Sequence, residues 1–137
     1  MNNYTVDILT PSKIVAKGIP AESLLVPTVR GQINVLKDHT HIVSKLGTGI
    51  VTVFGGEDDP DRYFSVTTGV CKVLDNKVII LANTSEEDHE IDVQRAKEAL
   101  KHAQEQLQSS LSDEELTKYR RKVERAQLRV QLASYKG

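Results

Sequence analysis

The pattern of the chain changes at SEEDHEIDVQRAKEAL, residues 85–100, and that change limits the folds open to it. All four prolines (Pro11, Pro20, Pro27 and Pro60) lie before it, and after it no glycine occurs until the last position, Gly137. Upstream, short runs suited to strands are cut by turn residues. In YTVDIL, Tyr4, Val6 and Ile8 fall on one face of an extended chain. KIVAKGI, AESLLVP, GQINVL, GIVTVF, RYFSVTT, VCKVL and KVIILA continue the series. Gly18 and Pro20 punctuate it, Asp75-Asn76 marks a tight hairpin, and Gly55 to Pro60 reads as a longer acidic turn. Strands recurring about every 8–12 residues predict an all-β sandwich or barrel rather than βαβ units.

Downstream the period becomes helical. Leu116, Tyr119, Val123, Ala126, Val130 and Ala133 step by 3, 4, 3, 4, 3, and Ala96, Leu100, Ala103 and Leu107 step by 4, 3, 4. Ser112-x-x-Glu115 is a capping box that starts the second helix, so the bend falls near Ser109–Ser112. The expected fold is α+β: an N-terminal all-β sandwich over residues 1–84, then an antiparallel two-helix hairpin over residues 85–137. Half of the ten seam positions are Ala or Tyr. Each buried Leu or Val contributes only about 1.5–3 kcal/mol, against ordering entropy of roughly 1–2 kcal/mol per residue. The hairpin is therefore expected to sit near balance between closed and open.

Charge is balanced overall, 18 Lys+Arg against 19 Asp+Glu, so no global field argues for nucleic acid. Locally it is uneven. From Thr117 onward stand Lys118, Arg120, Arg121, Lys122, Arg125, Arg129 and Lys136 against Glu124 alone. Such a helix predicts an acidic partner; the plainer alternative is a solvated helix with cations favoured near its C-terminal end. Cys71 is alone, which rules out an intramolecular disulfide and fits a reducing compartment. No apolar run is long enough to span a bilayer, and MNNYTVDILTP has neither a signal-peptide nor a transit-peptide pattern. These features place the chain, as synthesised, on the cytosolic side.

Catalytic motifs are missing from the sequence. GTGIVTVFGG lacks the Lys-Ser/Thr of a phosphate-cradling loop, and no Rossmann or nucleophile-elbow pattern occurs. His39 and His41 form an H-x-H without a third ligand nearby, so a turn or packing role outweighs a metal site. The expectation is a non-enzyme with no metal and no cofactor. The arginines carry more. Arg121, Arg125 and Arg129 share a helical face at i, i+4, i+8. An antiparallel hairpin bending near residue 110 brings Arg95 level with Arg125, and Asp92 level with Arg129. Guanidinium groups so arranged suit phosphate and base recognition. An Asp92–Arg129 surface ion pair with two spare arginines is the simpler account.

Two stretches carry, and the opening supports, a resemblance to the ε subunits of F-type ATP synthases. GQINVLKDHTHIVSKLGTGIV, residues 31–51, is similar to that family's Gly-[Glu/Gln]-x-Gly-x-Leu-Pro-x-His-x-Pro segment, departing from it at Asn34, Lys37 and His41. Ile91-Asp92-Val93-Gln94-Arg95-Ala96 resembles the family's ATP-recognition signature, and VDILTPSKIV resembles its first hairpin. The resemblance covers essentially the whole chain. It implies a non-catalytic central-stalk subunit, peripheral to the cytoplasmic face of a bacterial plasma membrane and touching the membrane only through the complex. The sandwich would dock on the γ subunit and c-ring, through residues including Gly31, Gln32, His39 and Ile42. The hairpin would permit turnover when folded and, extended into the α/β catalytic head, inhibit ATP hydrolysis. Lys118, Arg121 and Lys122 would then meet an acidic motif there. ATP enters as a regulatory ligand rather than a cofactor, with Glu86, Ile91, Asp92, Arg95, Ala96, Arg125 and Arg129 at the expected nucleotide site. His102 stands where strong binders usually carry Arg. A free-standing nucleotide-sensing module with the same helical clamp is the competing reading.

Overall fold

Alternation between apolar and polar residues makes most of the first 84 residues strand, and the computed structural model carries that pattern into ten strands. It describes residues 4–36 and 41–135. The strands are β1 (Tyr4–Leu9), β2 (Ile14–Ala21), β3 (Ser23–Thr28), β4 (Gly31–Leu36), β5 (Ile42–Leu46), β6 (Gly49–Phe54), β7 (Arg62–Val66), β8 (Gly69–Val73), β9 (Lys77–Ala82) and β10 (Ser85–Glu87). Hydrogen bonding links them in the order β10-β7-β6-β3-β5-β8-β9-β1-β2, with β4 attached, among the described residues, to β3 alone. β1 and β9 run parallel and the other pairs run antiparallel. This is the β-sandwich expected from the strand spacing. Tyr4, Val6 and Ile8 do share a buried face, in one core with Leu24, Phe64 and Ile80.

Two strands were not anticipated from sequence. Ile42–Leu46 lies inside the 31–51 motif stretch and outside the predicted strand series, yet it pairs along its whole length with β8. Ser85–Glu87, assigned above to the helical segment, pairs with β7 and belongs to the first unit. Its sequence, SEE, has no apolar alternation to announce it. The chain divides into two compact units, Met1–Glu87 and Asp88–Gly137.

A charged side chain is built into the sandwich at Asp7. Asp7 sits at a register shift between β1 and β2, where Gly18 takes φ +68°. Its Oδ1 accepts from the Gly18 N–H at 2.8 Å, and its Oδ2 lies 3.1 Å from Lys77 Nζ on β9. Burial opposes charge on this carboxylate, but the Gly18 N–H and the Lys77 ammonium together outweigh it and hold the pKa below the usual value.

The second unit opens with a 3₁₀ turn, Asp88–Glu90, packed against α2, and continues as α1 (Val93–Leu107) and α2 (Asp113–Ala133). The five-residue link between the helices leaves them antiparallel neighbours that pack on each other. Ser112 and Glu115 form the anticipated capping box, with Glu115 N donating to Ser112 Oγ at 3.2 Å. Ala96, Ala103, Ala126 and Ala133 from the predicted seam are buried. Leu100, Leu107, Leu116, Tyr119, Val123 and Val130 are only half-buried. Leu128 and Leu132, on the opposite face of α2, are buried as well.

Candidate functional site

The run Ile91–Ala96 starts α1, and its residues divide by direction. Asp92 is the N-cap: its extended backbone (φ −81°, ψ 105°) lets Oδ1 accept from Arg95 N at 3.1 Å. Ala96 N donates to Asp92 O at 3.0 Å, the first turn of the helix. Ile91 and Ala96 are buried, so their side chains serve packing rather than an open binding surface. Arg95 and His102 are exposed on α1.

On α2, Arg121 and Arg125 are exposed and Arg129 is half-buried. Lys118 and Lys122 hold their ammonium groups 5.8 and 5.1 Å from the centroid of the Tyr119 ring, within cation–π range. Sequence reasoning placed Tyr119 in the seam and missed this second role; the i−1 and i+3 lysines were the available signal. The first turn of α2 holds Asp113, Glu114 and Glu115, and the last turn holds no basic residue. The helix dipole therefore accounts for the acids at the N-terminus but not for the cations, which sit in the middle of the helix.

Glu86 lies in the first unit on β10, where the Ser65 hydroxyl accepts from its N–H at 3.1 Å and donates to its carbonyl at 3.4 Å. The next residue, Glu87, is buried, and its carboxylate takes both arms of the Arg62 guanidinium, at 2.8 and 2.7 Å. Arg62 and Glu87 were not singled out from sequence, because they are 25 positions apart and only the fold aligns them.

Of the expected docking residues, Gly31 and Gln32 begin β4 and Ile42 begins β5. Gly31 takes φ +113° in the β3–β4 turn, where the Thr28 hydroxyl donates to its carbonyl at 2.5 Å. Gln32 is exposed opposite Pro27, and Ile42 is half-buried opposite Val73. His39, like the Lys37 departure, falls outside the described residues. His41 Nε2 lies 2.9 Å from Asp75 Oδ1 in an exposed pair. Val29, Leu36 and Val43 are apolar yet 53–72% exposed on the turn, on β4 and on β5. Val29 N donates to Lys45 O at 3.1 Å, which ties the turn to β5. Among the described residues, no helix is long and apolar enough to cross a membrane.

A β-sandwich followed by a capped helical hairpin with cations along its second helix defines a class of two-unit protein, a β domain with a helical appendage. Residues 3–88 match the family model of the ATP synthase delta/epsilon chain β-sandwich domain, and residues 89–134 match that of its long α-helix domain. The chain belongs to the ATP synthase delta/epsilon chain family, on its epsilon side. It is 35% identical to the ATP synthase epsilon chain of Persephonella marina, over 97% of this chain and 98% of that one. It is 34% identical to the epsilon chain of Staphylococcus aureus strain JH9, over 99% of this chain and 100% of that one. A chain in the mitochondrial ATP synthase of Euglena gracilis, an OSCP/F1/c-ring assembly, has the same fold, with a TM-score of 0.81 at 20% identity over 98% of this chain and 83% of that one.

Proposed function

We propose that this chain is a non-catalytic central-stalk subunit of an ATP synthase that also restrains ATP hydrolysis. The sandwich docks on the γ subunit and c-ring, and the complex holds it at the cytoplasmic face of the bacterial plasma membrane. The helical hairpin regulates, and ATP stabilises its folded form. The observation that carries the regulatory part is the distribution of charge on α2. Lys118, Arg121, Lys122 and Arg125 stand mid-helix, where the helix dipole gives no reason for them, and Arg121 and Arg125 are exposed. Such a face needs an anionic partner: the acidic surface of the catalytic head in the extended state, and the phosphates of ATP in the folded one.

The docking part rests on exposed apolar side chains around β4 and β5. Val29 lies in the turn before Gly31 and Gln32, Leu36 ends the same strand, and Val43 follows Ile42 on β5; exposed apolar side chains of this kind suit a protein interface. ATP at 100 times its dissociation constant favours the closed hairpin by about 2.7 kcal/mol if it binds that form alone. For a seam rich in alanine, that is enough to decide between states.

Calorimetric ATP titration tests the nucleotide part. Arg125→Ala weakens binding, and His102→Arg strengthens it by adding a guanidinium near the phosphates. Equal affinities for wild type and both variants overturn it. Deleting residues 113–137 tests the inhibitory part: hydrolysis by the assembled complex rises while assembly persists. Loss of assembly in that deletion would refute the division of labour.

A further inference from the structure

β10 is three residues long, pairs among the described residues only with β7, and is the last element of the first unit. A strand that short at a sheet edge has few ladder bonds and would ordinarily fray. Side chains of β7 reinforce it in sequence order. Next to it, Thr67 and Thr84 bond through their hydroxyls at 2.9 Å, and Thr84 N donates to Thr67 Oγ1 at 3.0 Å. Ser65 then binds both main-chain groups of Glu86. At the last residue of the unit, Arg62 grips Glu87 with a two-pronged fork while its guanidinium lies 5.4 Å from the Phe64 ring centroid. The strongest of these ties stands at the boundary itself. The Glu87 carboxylate is 8% exposed, and the fork offsets part of the cost of burying its charge.

We propose that the Arg62–Glu87 pair is a mechanical stop. It makes Glu87 the last residue that stays with the sandwich and Asp88 the first that rearranges when the hairpin changes state. The second unit then moves without peeling β10 away, and the edge of β7 stays covered. A bare β7 edge would offer unpaired backbone groups to any passing strand. The functional consequence rests on the regulatory reading above, but the stop is a property of the folded chain and can be measured without nucleotide.

Native-state hydrogen exchange of the full chain, followed across sub-denaturing urea, sorts amides into units that open together. In wild type the amides of Ser85–Glu87 open with β7. In Glu87→Gln and in Arg62→Lys they leave that group and open with the 3₁₀ turn and α1, exchanging at least tenfold faster. The lysine variant keeps the charge but loses the fork geometry, and so guards against a result that merely reflects misfolding. If Ser85–Glu87 open with α1 in wild type, or stay grouped with β7 in both variants, the stop does not exist. Failure of the ATP titration would leave this result untouched.

Discussion

The phenol of Tyr4 on β1 donates to the main-chain carbonyl of Val35 on β4 at 2.5 Å, a bond between buried residues 31 positions apart. Among the described residues β4 is hydrogen-bonded in the sheet to β3 alone, so this phenol gives it a second anchor. Burial, and then the neighbouring Cys71 thiol, push the Tyr4 pKa up, which keeps the O–H a donor throughout the neutral range. Because β4 begins with Gly31 and Gln32, Tyr4 is a positioning residue for the proposed docking edge. Tyr4→Phe is expected to cost about 1 kcal/mol, the net value of one hydrogen bond. Exchange at Val35 and its neighbours on β4 should quicken while β7 and β8 are unchanged. Uniform quickening across the sandwich would show that the bond serves general stability rather than β4.

The glycines of the sandwich separate close packing from backbone strain. A Cβ at Gly69 would lie 1.9 Å from the Leu81 carbonyl oxygen and 2.9 Å from Ala82 Cα, both main-chain atoms that cannot swing aside. A Cβ at Gly31 meets nothing within 4 Å, but φ there is +113°. Gly69→Ala must push β8 and β9 apart and should cost about 3 kcal/mol or more. Gly31→Ala should cost only the strain of an unfavourable dihedral, about 1–3 kcal/mol. Urea denaturation of the two variants checks the ranking, and equal midpoints would contradict it.

Asp7 predicts the acid limb of stability. Its folded-state pKa is below the unfolded value, so the unfolded chain binds the proton first as pH falls. Its stabilising contribution is complete above the ordinary Asp pKa, about 3.9, and is lost as pH drops through the lower, folded value. In Asp7→Asn that part of the slope between neutral and acid pH should vanish. The variant should also be less stable at pH 7 by about 1.5–3 kcal/mol, the range for hydrogen bonds to a charged group. Thermal melts of both proteins from pH 7 to pH 3 should converge; curves that stay parallel would show that Asp7 does not titrate with folding.

Burial pushes the Cys71 thiol up to about 11, which makes it a poor nucleophile at neutral pH. Alkylation at pH 7.5 should therefore wait on unfolding and follow the urea transition. Rapid modification of the folded chain would contradict the burial of β8.

What the sequence disclosed follows from what is local. Alternation over Tyr4, Val6 and Ile8 announces a strand because its period survives in six residues. Ser112 and Glu115 announce a helix start because the capping box closes within one turn. β10 could not be read this way: it is held by Ser65 and Arg62, which lie 21 and 25 positions away. Leu128 and Leu132 were missed for a related reason. Gln127, Arg129 and Gln131 surround them, and their spacing of four runs off the seam that the heptad reading selects. The candidate site was legible in residue type, since Asp92 and the α2 cations stand out. Its direction was legible only at Ala96, a seam position; the fold is needed to show Ile91 turned inward and Arg95 and Arg125 turned to solvent.

Asp92 can be separated into its two roles by substitution. As the N-cap it needs only a short side-chain acceptor, and Asn serves as well as Asp. As a group that orients a nucleotide or an arginine, it uses its negative charge. Asp92→Ala should lose the cap and destabilise the start of α1 by about 0.5–2 kcal/mol, read as faster exchange at Arg95 and Ala96. Asp92→Asn should keep those amides at wild-type protection. If Asp92 only caps, ATP affinity follows helix order, and the Asn variant binds as wild type does. If the charge takes part, as the proposed function requires, Asn binds ATP more weakly even though α1 is intact. Calorimetric titration alongside exchange on the same two variants measures both quantities. Wild-type affinity in Asp92→Asn would leave Asp92 a helix cap and remove it from the nucleotide site.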